Sequence, residues 1–181
     1  MQPNSARSDL RLDLALIAFL IALDVVARLL PHVWGFTPVA ASGLFAARML
    51  RMPILALIVP IAAMALTGPL VGPDDWRISL IVYPAIAVPA LLGIVSRRWQ
   101  GALPVVAAML AGSLMFFALS NFAVWAFSGM YPLTMAGLAQ CYVAALPFLD
   151  KTVLGDLIWT GVLFGGAWLV QHGPSLAKRA H

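Results

Sequence analysis

Residues 102–127 read ALPVVAAMLAGSLMFFALSNFAVWAF and contain no Asp, Glu, Lys, Arg or His. A helix of this length extends about 39 Å at 1.5 Å per residue, which exceeds the ~30 Å hydrocarbon core of a bilayer. We therefore predict a membrane-spanning helix at Ala102–Phe127, and long apolar runs recur through the rest of the chain.

The composition of the whole chain indicates an integral membrane protein. Hydrophobic residues make up 62% of its 181 positions and charged residues only 10%, whereas a soluble domain carries about 25% charged residues. Such a chain cannot cover a water-facing surface, so lipid acts as its solvent. The length suits one all-α transmembrane domain over residues 1–181, with cytoplasmic tails at residues 1–10 and 173–181.

Polar or Pro/Gly-containing breaks divide the chain into helices. The six predicted transmembrane helices are Leu12–Leu30, Thr37–Ala47, Ile54–Leu70, Ile78–Ser96, Ala102–Phe127 and Thr152–Gln171. A further apolar segment, Thr134–Phe148, is bounded by Pro132 and Pro147 and is marginal in length for a crossing. We predict that it is a short outer-surface or re-entrant helix, and whether it crosses the membrane stays open.

The distribution of positive charge predicts the orientation. With six spans and the N-terminus inside, eight Lys and Arg residues lie on the cytoplasmic side and three lie outside. This asymmetry obeys the positive-inside rule. We therefore expect a multi-pass protein of the bacterial inner membrane with both termini in the cytoplasm.

Polar and ionisable side chains within apolar spans are costly in lipid and are candidates for a functional site. Their depths, estimated from the helical rise, converge on the outer half of several helices. The sequence therefore predicts a pocket that is open to the outer side. The predicted solute-binding residues within the helices are Asp24, Arg28, Tyr83, Asn121, Trp125 and Asp156.

Two segments outside the predicted spans are expected to enclose this pocket. The loop RLLPHVWGFTP, residues 28–38, brings His32 and Trp34 over the polar layer, and Tyr131 and Gln140 belong to the outer segment that closes it. An alternative interpretation assigns the loop no ligand. His32 is then structural, Arg28 extends to the lipid headgroups and Trp34 is an interfacial anchor.

Several of the predicted solute-binding residues within the helices also have a possible structural role. Asp24 and Arg28 are spaced i, i+4 and can neutralise each other on one helix face. Asn121 and Trp125 share a face and suit a heterocyclic ligand, or they form an interhelical hydrogen bond and an interfacial contact. Asp156 lies near the predicted start of the last helix, where the helix dipole favours a carboxylate.

The sequence lacks the combinations of residues that catalytic sites use. It contains no glutamate, and its histidines, His32, His172 and His181, are dispersed. The single cysteine, Cys141, excludes an internal disulfide and a Cys-rich metal site. We predict no enzymatic activity, no cofactor, no metal site and no nucleic-acid partner.

Two blocks carry a resemblance to known proteins: RLLPHVWGFTPVAASGLFAA at residues 28–47, and SNFAVWAFSGMYPLTMAGLAQCYVAALPFLDKTVLGDLIWTGVLFG at residues 120–165. They resemble an uncharacterised bacterial family of small membrane proteins, which in turn is similar to the S components of energy-coupling factor (ECF) vitamin transporters. The resemblance implies six spans, a vitamin-like solute bound from the outer side, and docking on a coupling subunit that works with ATPases.

The same resemblance bears on docking and on the solute. S components present an alanine-x-x-x-alanine motif on their first helix, and AFLIA, with Ala18 and Ala22, fits this spacing. Small residues four apart allow close helix approach in lipid, which serves internal packing as well as docking. Cobalamin-binding relatives have a cysteine before the fourth span, whereas DDWRISLIVY at residues 74–83 has none.

The sequence is consistent with two functions. The first is a substrate-binding subunit or small solitary transporter that takes up a vitamin-like solute. The second is a non-transport scaffold or assembly factor, which would not need polar residues from several helices at one depth.

Overall fold

Helices account for all the regular structure of the described residues. The computed structural model describes the backbone of residues 3–30, 36–71 and 75–179, and the side chains of residues 9–30, 36–71 and 75–172. The elements in chain order are α1 Pro3–Leu29, α2 Val39–Met49, a 3-10 helix Pro53–Leu57, α3 Ile58–Val71, α4 Trp76–Ser96, α5 Ala102–Phe127 and α6 Met135–Arg179. The predicted all-α class is confirmed over these residues.

Among the described residues, four stretches of helix are long and apolar enough to cross a membrane. They are Pro53–Val71, Trp76–Ser96, Ala102–Phe127 and Met135–His172. Large apolar side chains such as Leu103, Leu114 and Val162 are exposed on their outer faces, as lipid contact requires. These features fit a multi-pass membrane protein.

The short helix α2 lies at the centre of the bundle. Every residue of α2 from Val39 to Ala47 is buried, and α2 contacts each of the other five helices. Its 11 residues extend only about 17 Å, which is too short for the hydrocarbon core. The surrounding helices cover α2 from Val39 to Ala47, so this part of the helix contacts protein rather than lipid.

Small side chains allow α2 and α4 to approach closely. A Cβ atom added at Gly93 of α4 would lie 2.8 Å from the Cβ of Ala47 and 3.1 Å from the carbonyl oxygen of Leu44. One turn away, a Cβ at Gly43 of α2 would lie 3.3 Å from the Cβ of Ala90. The spacing of Gly43 and Ala47 on α2 therefore serves internal packing.

Arginines join the ends of these two helices. Arg48, at the end of α2, donates from Nη1 to the carbonyl of Ser96 at 2.8 Å and from Nη2 to the carbonyl of Trp99 at 2.9 Å. Arg97, just after α4, donates from Nη1 to the carbonyl of Leu50 at 2.8 Å. The C-terminal ends of α2 and α4 thus lie side by side, and each is capped from the other.

The beginning of α1 lies at the same end of the bundle. Arg51 forms an ion pair with Asp9, and its backbone N–H donates to Oδ2 of Asp13 at 3.2 Å. We call this region the basic end and define it by Arg48, Arg51, Arg97 and Arg98. Helix α1 runs away from the basic end, whereas α2 and α4 run towards it.

The sequence prediction of a separate helix at residues 134–148 is wrong. Helix α6 is continuous from Met135 to Arg179, and Pro147 lies within it. Proline removes one backbone hydrogen bond and can bend a helix without ending it. The N-terminal boundary also differs, because α1 begins at Pro3 rather than at Leu12, so helix extends into the predicted N-terminal tail.

Two hydrogen bonds between α5 and α6 lie on either side of Pro147 and show how the spacing of the helices changes there. The Tyr142 hydroxyl donates to the carbonyl of Ala118, and the Ser113 hydroxyl donates to Asp156. Between these contacts α5 advances five residues, or about 8 Å, whereas α6 advances fourteen residues, or about 21 Å. Helix α6 therefore diverges from α5 around Pro147, and space opens between them.

Candidate functional site

A cavity of about 550 Å³ lies between the helices. Its position follows from Arg28 in the last turn of α1, Thr37 just before α2 and Val71 at the end of α3, all of which line it. The cavity therefore occupies the half of the bundle away from the basic end. Each helix contributes to its wall, for example through Arg28, Ala40, Met64, Pro89, Ser113 and Asp156.

The wall of the cavity is mainly apolar and carries few polar groups. The apolar part includes Met64, Ile86, Pro89, Phe116 and Phe148. The polar lining residues are Arg28, Thr37, Ser113, Thr152 and Asp156. A volume of this size, with polar groups placed in an apolar wall, is typical of sites that bind small molecules.

Arg28 provides the cationic group of the wall. Its Nε donates to Oγ1 of Thr67 at 2.7 Å, and the Thr67 hydroxyl in turn lies 2.7 Å from the carbonyl of Ala63. Thr67 is fully buried on α3. The hydrogen bond therefore fixes the guanidinium of α1 against α3 at the edge of the cavity.

Asp156 provides the acidic group. Its side chain is only 4% exposed, and its Oδ2 accepts from the Ser113 hydroxyl at 2.6 Å. The neighbouring Gly112 allows this contact, because a Cβ there would lie 2.7 Å from Cγ of Pro89. Close packing of α4 on α5 thus positions Ser113 towards α6.

The position of Asp156 differs from the sequence prediction. We expected this residue about one turn inside the last helix, where the helix dipole stabilises a carboxylate. Because α6 begins at Met135, Asp156 lies about 32 Å along the helix. A capping role is therefore excluded, and Ser113 supplies the hydrogen bond instead.

Asp24 is a second buried carboxyl, but it does not line the cavity. It is fully buried, and its Oδ1 accepts from the Ser42 hydroxyl of α2 at 2.7 Å. Its Oδ2 has no hydrogen-bond partner among the described residues. No ion pair within 4 Å joins Asp24 to Arg28 in that part of the chain, but the two side chains are close enough for their charges to interact.

A smaller cavity of about 320 Å³ adjoins the first. It shares Phe116, Phe148 and Thr152 with the larger cavity, and Asn121 also lines it. This is the region where α6 diverges from α5. The side-chain amide of Asn121 donates to the carbonyl of Phe117 on its own helix at 2.8 Å.

A family assignment follows from comparison with known sequences. Residues 8–177 match the model of a family of unknown function, DUF6580. The chain belongs to the DUF6580 family. No curated protein and no solved structure matches it.

The other predicted site residues of this DUF6580 protein that the structure describes do not line the larger cavity. The Tyr83 hydroxyl donates to the carbonyl of Met64 at 3.3 Å, and the Trp125 Nε1 donates to the carbonyl of Pro132 at 3.0 Å. Tyr131 is half-buried and Gln140 is exposed. His32 and Trp34 lie outside the described residues.

The structure thus brings two of the predicted solute-binding residues, Arg28 and Asp156, to the larger cavity, and Asn121 to the smaller one. The sequence analysis did not identify Ser113 or Thr152 as site residues. A signal for Ser113 was present, because a carboxyl buried in an apolar bundle needs a hydrogen-bond donor. Serine residues within otherwise apolar runs are the natural donors.

Proposed function

We propose that this protein binds a small, vitamin-like solute in the larger cavity and carries it across the bacterial inner membrane. The observation that carries the proposal is a cavity lined by all six helices, with Arg28 and Asp156 in a largely apolar wall. Charged side chains at membrane depth usually mark solute or ion pathways. The apolar part of the wall suits a ring system or an aliphatic body.

The orientation of the proposed site follows from the basic end. Arg48, Arg51, Arg97 and Arg98 lie together there, and the positive-inside rule assigns such a cluster to the cytoplasm. The proposed topology has six crossings, with both termini cytoplasmic. Under this topology the larger cavity lies in the outer half of the membrane and receives solute from outside.

The proposed role is that of a substrate-binding subunit similar to an ECF S component, or of a small solitary transporter. Ala18 and Ala22 are both exposed on α1, so this pair is accessible to a coupling subunit. The coupling subunit and its ATPases belong to the proposal. Solute binding requires no cofactor and no catalytic residue.

A filled-cavity variant tests this proposal. Purified protein in detergent is screened against vitamin-like solutes by thermal unfolding, and hits are verified by native mass spectrometry. Thr152→Trp places a large ring between the two cavities, whereas Leu154→Trp adds the same ring on the exposed face of α6. We expect a stabilising solute to lose its effect in Thr152→Trp and to keep it in Leu154→Trp.

Two results would contradict the proposal. Full stabilisation of Thr152→Trp by the solute would place the binding site elsewhere. A stable protein partner in every preparation, with no solute that binds, would favour the scaffold function instead.

A further inference from the structure

We propose that the solute is an amphiphile, whose polar end lies in the larger cavity and whose apolar chain lies in the smaller cavity between α5 and α6. This inference rests on the proposed function and specifies its substrate class. It is drawn from the lining of the smaller cavity, from its position in the bundle and from the way it joins the larger one.

The two cavities meet, because Phe116, Phe148 and Thr152 line both of them. Along α5 their combined lining extends from Gly112 to Asn121, a distance of about 14 Å at the helical rise. The lining therefore encloses an elongated space rather than one compact chamber. A molecule that reaches from the larger cavity into the smaller one must be elongated as well.

The smaller cavity lies at the side of the bundle. All of its described lining residues belong to α5 and α6. Phe148, which borders both cavities, is 52% exposed. Both helices belong to the stretches that are long and apolar enough to cross a membrane, so an exposed side chain there contacts lipid. The smaller cavity therefore lies between the larger cavity and the acyl chains of the bilayer.

The wall of the smaller cavity suits a hydrocarbon chain. Its apolar lining residues are Phe116, Phe117, Ala145 and Phe148. Its polar lining residues, Ser120, Asn121 and Thr152, each donate a hydrogen bond to a carbonyl of their own helix. Polar side chains in a membrane helix are commonly satisfied by the helix backbone in this way. The rest of the surface is aromatic and aliphatic, which favours an apolar occupant.

The larger cavity suits the other end of an amphiphile. Its wall includes Arg28, Thr37, Ser113 and Asp156, which offer hydrogen-bond donors and acceptors. The inference requires no charge on the polar end, because Arg28 donates to Thr67 and Asp156 accepts from Ser113 within the protein. A ring nitrogen, an amide or a hydroxyl group is sufficient to orient the solute in such a wall.

An acyl chain of a membrane lipid is the competing occupant of the smaller cavity. A lipid chain that entered between α5 and α6 would bring its apolar end towards the polar groups of the larger cavity. Polar groups that face hydrocarbon lose hydrogen bonds, which is costly. An amphiphilic solute places its polar end there instead, so the order of the two cavities favours the solute.

Alkylated probes test the inference on the full chain in phosphatidylcholine nanodiscs. The probes are the members of the vitamin-like panel and the hexyl amide or hexyl ether of each, and binding is titrated by native mass spectrometry. Ala145→Trp fills the smaller cavity, whereas Ala144→Trp adds the same ring at the neighbouring exposed position. The comparison is made between variants, because a longer chain concentrates any probe in the lipid.

The expected result is a selective loss of binding. At least one hexyl derivative should bind the wild-type protein and the Ala144→Trp variant equally. The same derivative should bind Ala145→Trp more weakly by roughly tenfold or more, because the added ring occupies the space of the chain. Panel members without a chain that bind the wild-type protein should bind both variants as well as they bind the wild type.

Photocrosslinking to the wild-type protein provides a second test, which does not depend on the folding of Ala145→Trp. The hexyl derivative that binds most tightly is prepared with a diazirine at the end of its chain, and the labelled peptides are identified by mass spectrometry. We expect label within residues 116–121 and 145–152, and suppression by an excess of the same derivative without the diazirine. Equal label at the exposed Leu66 and Leu80 would overturn the inference.

The possible failures are separable. Hexyl derivatives that bind both variants equally, or that lose no more binding in Ala145→Trp than their parent compounds, would overturn the inference and leave the proposed function standing. Binding of panel members only without a chain would do the same, as would a phosphatidylcholine molecule in the smaller cavity that no hexyl derivative displaces. If neither the panel members nor their hexyl derivatives bind, the inference and the proposed function both fail.

Discussion

Arg48 and Arg97 cap each other's helices. Arg48 of α2 donates to the carbonyl of Ser96 at the end of α4, and Arg97 donates to the carbonyl of Leu50 at the end of α2. The last carbonyls of a helix lack intrahelical partners and carry partial negative charge. Two parallel helices with adjacent C-terminal ends place those carbonyls close together, and each arginine satisfies one carbonyl at the end of the other helix.

This exchange predicts a loss of stability in Arg48→Met. The variant keeps an aliphatic side chain but removes the hydrogen bonds to Ser96 and Trp99. We expect the free energy of unfolding in detergent to fall by about 1–2 kcal/mol, the range for hydrogen bonds from a charged donor. Arg51→Met is the control, because an exposed ion pair contributes about 0–1 kcal/mol. Equal losses in both variants would contradict a capping role for Arg48.

The close packing of α2 on α4 predicts opposite effects for two glycine substitutions. Gly93→Ala places a methyl group 2.8 Å from Ala47 and 3.1 Å from a backbone oxygen, so we expect destabilisation of about 1–3 kcal/mol. Gly165→Ala meets no atom within 4 Å and should be neutral or stabilising by up to about 1 kcal/mol, because alanine favours a helix. Thermal unfolding measured on both variants would decide this, and a stable Gly93→Ala protein would show that the helices are further apart.

Ser113 is expected to be required for both stability and solute binding. Ser113→Ala removes the hydrogen bond to the buried Asp156, which should cost about 1–3 kcal/mol, the penalty for an unsatisfied buried group. Ser120→Ala on the same helix removes only a 3.4 Å contact to Phe117 and should have little effect. Unfolding and solute binding are measured together, and unchanged values in Ser113→Ala would exclude an ordering role for this hydroxyl.

The proposed orientation predicts the accessibility of single cysteines. Cys141 is the one native cysteine, so Cys141→Ala provides a background without thiols. A cysteine at Lys178 should react with a membrane-impermeant thiol reagent only after the cells are opened. A cysteine at the exposed Leu133, between α5 and α6, should react in intact cells. Reaction at position 178 in intact cells would overturn the orientation.

The proposed docking face on α1 predicts a separation of uptake from binding. Ala18→Leu enlarges an exposed side chain on α1 and should leave solute binding intact while it abolishes uptake in cells. Ala65→Leu makes the same change at an exposed position of α3 and should affect neither. Normal uptake in Ala18→Leu would remove the docking role of this face and would leave the solute site unaffected.

The helices were largely predictable from the sequence. The predicted bounds of α5 match the structure, and the predicted end of α4 at Ser96 does too, because charges or glycine interrupt long apolar runs at those points. The continuity of α6 through Pro147 was not predictable in the same way. A proline ends a helix or only bends it according to the packing around it, and that packing comes from α5, which is distant in sequence.

The site was predictable only in part, and the reason lies in how helices face one another. Arg28 and Asp156 stand out because a charged residue in an apolar span is rare. Phe116 lines the cavity but resembles many other apolar residues that face outward, such as Phe122. When a helix is apolar on all sides, its sequence does not indicate which face is turned inward.

The enclosure of α2 has a consequence for biosynthesis. This helix is too short to be stable alone in the hydrocarbon core, and it emerges from the ribosome well before α4 and α6, against which it packs. Its buried residues, Val39–Ala47, can therefore be covered fully only after the later helices have been inserted. We expect α2 to reach its central place late in assembly, when α6 packs against it.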